Sequence, residues 1–132
     1  TAVLAIAAAR TAPNPVLASD IDPVAVEVAL ANAAANGVAE RVRCIEAAGF
    51  DHPALVEAAP FDLVFANILM GPLVALAPDM AAHLAPGGHA ILSVILNDQS
   101  DAVEAAYVEA GFRPLSRGVI GEWTTLTLAR AA

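Results

Sequence analysis

One acidic residue stands where an apolar run ends, in the stretch Val16 to Pro23. The run Val16-Leu17-Ala18-Ser19 stops at Asp20, and a helix is predicted to begin within three residues. In a parallel α/β sheet the carboxyl ends of the strands open onto a ligand crevice. In nucleotide-binding sheets of this kind, a carboxylate that ends the second strand of the sheet's usual order can accept hydrogen bonds from both hydroxyls of a ribose. Asp20 is therefore predicted to bind the ribose of a nucleoside ligand.

The next acidic residue, Asp22, is predicted to have a structural role. Asp22 precedes Pro23, and the pair is typical of an N-cap followed by the first residue of a helix. The carboxylate of the cap accepts from backbone N–H groups that have no partner inside the helix. Proline lacks the N–H that would stay unpaired at this position.

Composition favours one globular domain that contacts basic partners. The 132 residues are 58% hydrophobic, which is enough for a core. Fourteen acidic and six basic residues give a formal net charge of -8, which argues against direct nucleic-acid binding by this domain. The apolar stretch Ala2 to Ala9 is much shorter than the roughly 20 residues of a membrane helix. The start also lacks the basic region of a signal peptide.

Cysteine and histidine usage argues against a disulfide and against a metal site. Cys44 is the single cysteine, so no internal disulfide can form and a reducing compartment, the cytoplasm, is expected. Cys44 lies in an apolar run and is predicted to be a buried core thiol. His52, His83 and His89 lack the spacing of metal ligands and are predicted at the surface or at loop edges.

Helical and strand patterns alternate along the chain, which predicts an α/β fold with a mostly parallel sheet. Helices are predicted near residues 1–11, 23–36, 52–59, 71–84 and 98–110, and strands near 15–20, 41–46, 61–66 and 89–95. The last two strands, near 112–119 and 122–130, are joined at Ile120-Gly121. That connection is too short for a crossover helix, so these strands are predicted to form an antiparallel hairpin.

Several segments, taken in order, resemble a known family. Asp20-Ile21-Asp22-Pro23, then Asn67-Ile68-Leu69-Met70-Gly71-Pro72-Leu73, then Leu84-Ala85-Pro86-Gly87-Gly88 are similar to class I S-adenosylmethionine-dependent methyltransferases. Within that class the chain resembles the family that methylates ribosomal protein L11. The residues that carry this second likeness are the Asn-Ile-Leu and Gly-Pro-Leu segments, Ser93-Val94-Ile95-Leu96 with Gln99, Ala110-Gly111-Phe112, and Glu122-Trp123.

The resemblance implies a Rossmann-like fold, the cofactor S-adenosyl-L-methionine and a basic ribosomal protein as substrate. It places Asp20 at the cofactor ribose and Asn67 beside the methionine moiety and the incoming amine. The amide of Asn67 could accept from an amine or ammonium while it donates to a backbone carbonyl. Asparagine also caps turns, and that structural role is the alternative for Asn67. In-line methyl transfer needs mainly orientation and a deprotonated amine, so no residue is assigned as a catalytic base.

The chain departs from the family pattern at its beginning. The family has a first strand and a glycine-rich turn before the first helix, whereas this sequence begins with the helical pattern Thr1-Ala2-Val3-Leu4-Ala5-Ile6. Residues 1–132 are therefore expected to be a methyltransferase catalytic domain that is incomplete at its N-terminus. In the family, that first strand lies in the middle of the sheet. A separate substrate-recognition domain is expected to lie outside the chain.

Three alternatives stay open. A nicotinamide-dependent dehydrogenase would also have an acid at the end of its second strand, but it does not explain Asn67-Ile68-Leu69 or the terminal hairpin. A truncated or degenerate domain could bind a partner without catalysis. An N-methyltransferase acting on protein glutamine or on a small molecule is the third, although Asn67 is not followed by the prolyl-prolyl-aromatic motif of the glutamine enzymes.

Overall fold

The structure is a computed structural model that describes residues 16–131, apart from residues 21, 39, 41, 47 and 48. The helix predicted over residues 1–11 lies outside the described residues. Strands and helices alternate as predicted: β1 Val16–Asp20, α1 Pro23–Ala35, β2 Val42–Glu46, α2 Pro53–Ala58, β3 Phe61–Asn67, α3 Met70–Ala75, α4 Ala77–His83, β4 Leu84–Leu96, α5 Ser100–Glu109, β5 Phe112–Ile120 and β6 Trp123–Arg130, with a 3-10 helix at Asn97–Gln99. The α/β class is confirmed.

The chain divides into two compact units, Thr1–Leu55 and Val56–Ala132, each with its own sheet. That all 132 residues form one domain stays a prediction. Across the described ranges, no helix has both the length and the apolar character that crossing a membrane requires.

In the first unit, β1 and β2 pair in parallel and are connected through α1. Pro23 is the first residue of α1, and the backbone N–H of Val24 donates to Asp22 Oδ1 at 2.9 Å. The predicted cap is therefore confirmed. Most of α1 is alanine and valine, and alanine is the residue that most favours a helix. The buried face of α1 carries Ala29 and Ala33, whose small side chains allow close approach to the strands.

The second unit has a four-stranded sheet in the order β3-β4-β6-β5. β3 and β4 are parallel, whereas β6 is antiparallel to both β4 and β5. The predicted C-terminal hairpin is confirmed, and its second strand lies between β4 and β5. Tyr107 of α5 is fully buried, and its hydroxyl donates to the carbonyl of Leu73 in α3 at 2.9 Å. This bond ties α5 to α3 over the sheet.

The missing first strand stays a prediction. Within the described residues, β1 pairs with β2 alone and β3 pairs with β4 alone. Both described strands of the first sheet are thus edge strands, and β3 is an edge strand of the second. The described pairings are two parallel and two antiparallel, so the sheets together are mixed.

The single helix predicted over about 71–84 is instead two short helices, α3 and α4, which meet at Leu76. Pro78 is the cause, because its nitrogen carries no hydrogen for the bond that a continuous helix would make to the carbonyl four residues earlier. The N–H of Met80 resumes the pattern by donating to the carbonyl of Leu76 at 2.9 Å.

The strand predicted over 89–95 begins earlier, at Leu84. Leu84 pairs with Phe61, and the register then shifts so that His89 pairs with Leu63. Gly88 makes this possible, because a Cβ there would lie 2.9 Å from the carbonyl oxygen of Ala85 and 3.0 Å from that of Phe61. A larger residue would force the two strands apart.

Cys44 in β2 is half-buried, so the prediction of a buried core thiol is wrong in degree. Its burial still raises the pKa of the thiol above the ordinary value because a thiolate would lose solvation. Such a thiol is protonated at neutral pH and is a poor nucleophile.

Candidate functional site

Asp20 is the last residue of β1 and pairs in register with Glu46, the last residue of β2. The two strands are parallel, so both acidic residues lie at the carboxyl edge of the first unit's sheet. This is the edge at which open α/β sheets bind ligands. The sequence reasoning singled out Asp20 and missed Glu46. The same signal, an acid that ends a predicted strand, is present at Glu46 and could have found it.

The helix that follows Asp20 begins at the same edge of the first unit. Asp22 caps it, with its carboxylate engaged by the N–H of Val24. This contact supports the structural role predicted for Asp22. It leaves Asp20 as the candidate ligand residue of this segment.

Asn67 is the last residue of β3 and pairs in register with Ser93 of β4. These strands are also parallel, so Asn67 lies at the carboxyl edge of the second unit's sheet. The next helix, α3, begins at Met70, and its N-cap position is held by Leu69, which has no capping side chain. Asn67 is therefore not the N-cap residue of α3, and both its predicted role beside the methionine moiety and the alternative that it caps a turn stay predictions.

Beside Asn67, strand β4 contains a bulge that the sequence did not predict. The register between β4 and β6 shifts between Leu92 and Ile95, which leaves Ser93 and Val94 at the irregular position. Val94 has φ of 62°, and it is the one non-glycine residue with positive φ among those described. A β-branched residue in this region is strained. Because bulges redirect neighbouring side chains, this one affects the strand segment in register with Asn67.

The end of β4 is fixed by the segment that follows it. Gln99 Oε1 accepts a hydrogen bond from the backbone N–H of Leu96 at 3.1 Å. The hydroxyl of Ser100 donates to the carbonyl of Asn97 at 2.8 Å. These bonds hold the carboxyl end of β4 in one conformation, so Gln99, one of the residues that carry the family likeness, has a structural role here.

The three histidines take structural or peripheral positions. His52 is half-buried, and its Nδ1 accepts from the N–H of Ala54 at the start of α2, at 3.0 Å. His83 is half-buried at the end of α4, with Nδ1 2.7 Å from the carbonyl oxygen of Asp79. His89 is exposed on β4. No group of three or more histidine, cysteine, aspartate or glutamate residues suited to a metal ion occurs in the part of the chain that the structure describes.

In each unit, polar residue types stand at the carboxyl ends of paired parallel strands. Asp20 and Glu46 end two paired parallel strands at one sheet edge, and a carboxylate is a residue type that can accept from the two hydroxyls of a ribose. Asn67 and Ser93 pair in register at the carboxyl edge of the other sheet. In the structure, Asp20 pairs in register with Glu46, and Asn67 pairs in register with Ser93. Asp20 and Asn67 belong to different units, and their convergence on one ligand stays a prediction.

Solved structures with the same fold define the class. A crystal structure of ribosomal protein L11 methylase from Lactobacillus delbrueckii subsp. bulgaricus matches with a TM-score of 0.89 and 32% identity, over 98% of this chain and 65% of that one. An RNA methyltransferase from Salinibacter ruber, solved in complex with S-adenosyl-L-homocysteine, matches with a TM-score of 0.73 and 21% identity, over 97% of this chain and 73% of that one. The fold is that of the Rossmann-like class I methyltransferases, as predicted.

Sequence relatives narrow the class to one family. The model of the family described as ribosomal protein L11 methyltransferase (PrmA) matches residues 1–131. A ribosomal protein L11 methyltransferase from Brucella suis is 60% identical over 111 residues, which are 84% of this chain and 39% of that protein. The chain belongs to the ribosomal protein L11 methyltransferase family, which confirms the resemblance. It spans less than half the length of this relative.

Proposed function

We propose that this chain carries the cofactor-binding part of an enzyme that transfers methyl groups from S-adenosyl-L-methionine to amino nitrogens of ribosomal protein L11. The observation that carries the proposal is the family match over residues 1–131. It is supported by polar residues at the carboxyl ends of parallel strands, where this fold class holds its ligand.

Asp20 is the residue that binds the cofactor ribose in this proposal. Its position at the end of β1 suits a carboxylate that accepts from the two ribose hydroxyls. Glu46, its register partner, is exposed and offers a second acceptor at the same edge.

Asn67 orients the reactants. Its amide has one acceptor and two donor hydrogens, so it can accept from an ammonium or amine and donate to a carbonyl at the same time. The bound cofactor supplies an electrophilic methyl group on a sulfonium. The chain's own task is to align the amine with that methyl group and to exclude water, which lowers the entropic cost of the transfer.

The substrate is a basic protein in this proposal. A net charge of -8 favours association with a positively charged partner and disfavours nucleic acid. The single cysteine agrees with a reducing compartment such as the cytoplasm.

A methyl-transfer assay tests the proposal. The complete protein is incubated with ribosomal protein L11 and cofactor labelled in the methyl group, and label in the L11 protein is located by mass spectrometry. We expect label on amino nitrogens, and none on a control L11 preparation whose amines have been acetylated. Binding of the cofactor without any label on L11 would overturn the assignment of the substrate.

A further inference from the structure

The turn that joins β5 to β6 exposes a group of apolar side chains. Ile120 is 85% exposed, Val119 is 57% exposed and Trp123 is 46% exposed. Isolated apolar residues are common on protein surfaces, but adjacent large ones at a strand turn are typical of a contact surface. Glu122 lies between them in sequence and is also exposed. We call residues 119–123 the hairpin turn.

The hairpin turn is held rigidly from the side of β4. Asn97 Nδ2 donates to the carbonyl of Gly121 at 2.9 Å, and the backbone N–H of Asn97 donates to the carbonyl of Glu122 at 3.0 Å. The hydroxyl of Thr124, which is buried, donates to Asn97 Oδ1 at 2.7 Å. The side chain and backbone of Asn97 therefore hold the centre of the turn and the start of β6.

A second anchor holds β5 just before the turn. Arg117 Nη1 lies 3.0 Å from Asp101 Oδ1, and Arg117 Nη2 lies 2.7 Å from Glu104 Oε2, both on α5. Rigidity matters because a preorganised surface loses little conformational entropy when a partner binds. The apolar side chains are thus presented at low entropic cost.

The hairpin turn lies at the same edge of the second unit's sheet as Asn67. Leu96, at the carboxyl end of β4, pairs with Trp123, and Asn67 pairs with Ser93 three residues earlier on β4. Adjacent strands are about 5 Å apart, so β3 and β6 are separated by about 10 Å, and the three-residue offset along β4 adds about 10 Å in the strand direction, which puts the two positions about 14 Å apart. An extended peptide of a few residues covers that distance.

We infer that the hairpin turn is a docking surface for the protein substrate, with Ile120 and Trp123 contacting apolar side chains next to the target amine and Glu122 attracting nearby positive charge. The inference rests on the proposed function and extends it to a substrate-binding surface on this chain. Asp98, also exposed, lies next to the anchoring Asn97 and adds a second negative charge at this edge. The acidic and apolar character fits a basic protein segment and disfavours an RNA backbone.

Steady-state kinetics of Ile120→Ser in the complete protein test the inference. We expect KM for ribosomal protein L11 to rise roughly ten-fold, with kcat and the affinity for cofactor unchanged. Ile120→Leu should restore KM, because it keeps the apolar surface. Glu122→Gln should weaken the dependence of KM on salt, because it removes one attractive charge.

Val108→Ser is the matched control. Val108 is 48% exposed but lies near the end of α5, shortly before β5 begins at the opposite edge of the same sheet. Val108→Ser should leave KM unchanged.

An unchanged KM in Ile120→Ser, with normal methylation, would overturn the docking surface alone. A change in oligomeric state without a change in KM would also overturn it, since the turn would then contact a second copy. Absence of methylation by the wild-type protein would overturn the proposed function and this inference together.

Discussion

The strained bulge beside Asn67 predicts which of two substitutions at Val94, glycine or alanine, gives the more stable protein. Val94 has φ of 62°, in the left-handed region. An L-residue there costs roughly 1–2 kcal/mol, whereas glycine has no Cβ and avoids the clash. At an ordinary strand position glycine is less stable than alanine by roughly 0.5–1 kcal/mol, because it loses more backbone entropy on folding. The two effects oppose each other at Val94, and the strain is the larger.

We therefore expect Val94→Gly to be more stable than Val94→Ala by about 0.5–1 kcal/mol. Val64 of β3 is the matched control, because it is also a half-buried strand valine but is not among the residues with positive φ. There, Val64→Ala should be more stable than Val64→Gly by about 0.5–1 kcal/mol.

Urea unfolding of the four variants of the complete protein, followed by far-ultraviolet circular dichroism, measures both differences. Equal slopes against urea are required for the comparison, because a changed slope reports a changed folded or unfolded state. If the alanine variant were more stable than the glycine variant at both positions, the left-handed conformation of Val94 would be refuted, and with it the bulge at the candidate site.

Three further predictions concern packing and turnover. Tyr107→Phe should lower the free energy of unfolding by about 1–2 kcal/mol, because the buried carbonyl of Leu73 loses its donor; an unchanged urea midpoint would contradict the bond. Gly88→Ala should destabilise the protein by about 1–3 kcal/mol through overpacking, whereas Gly71→Ala, with open space around its Cβ, should be neutral or stabilising in the same assay. Asn67→Ala should lower kcat roughly ten- to hundred-fold through misalignment, with little change in cofactor affinity measured by calorimetry; a normal kcat would show that Asn67 is only a turn residue.

Local signals in the sequence were sufficient for most elements of the fold. Asp22-Pro23 predicts the start of α1 because capping depends on residues that are adjacent in the chain. The short connection at Ile120-Gly121 predicts an antiparallel pairing because a crossover needs many more residues. In these places the physical cause is local and can be recognised in one segment.

The features that the sequence did not predict depend on contacts between distant segments. Val94 is a β-branched residue that favours an ordinary strand conformation, so nothing in its type indicates the bulge. The early start of β4 requires the close approach of Gly88 to Phe61, which only the strand pairing determines. Pro78 could have indicated the break between α3 and α4, because proline near the middle of a predicted helix removes a hydrogen bond.

The candidate site also combines features that follow from local sequence with features that depend on contacts between distant segments. An acid at the end of a strand is a local signal, and it predicts Asp20 as a candidate, whose position at the end of β1 the structure describes. The pairing of Asp20 with Glu46 is a tertiary fact that became visible only in the sheet. The role of Asn67 came from the family resemblance, and the structure adds that Leu69 holds the N-cap position of α3.

Calorimetric titration with S-adenosyl-L-methionine tests the central claim most directly. The complete protein should bind the cofactor, and Asp20→Ala should weaken binding by about 1–3 kcal/mol, because the ribose hydroxyls lose their acceptor. Asp62→Ala, which removes an exposed acid near the opposite, amino end of β3, should bind as the wild type does. Equal affinity of the wild type and Asp20→Ala would contradict the account of the ribose site, and no binding by the wild type would contradict the proposed function.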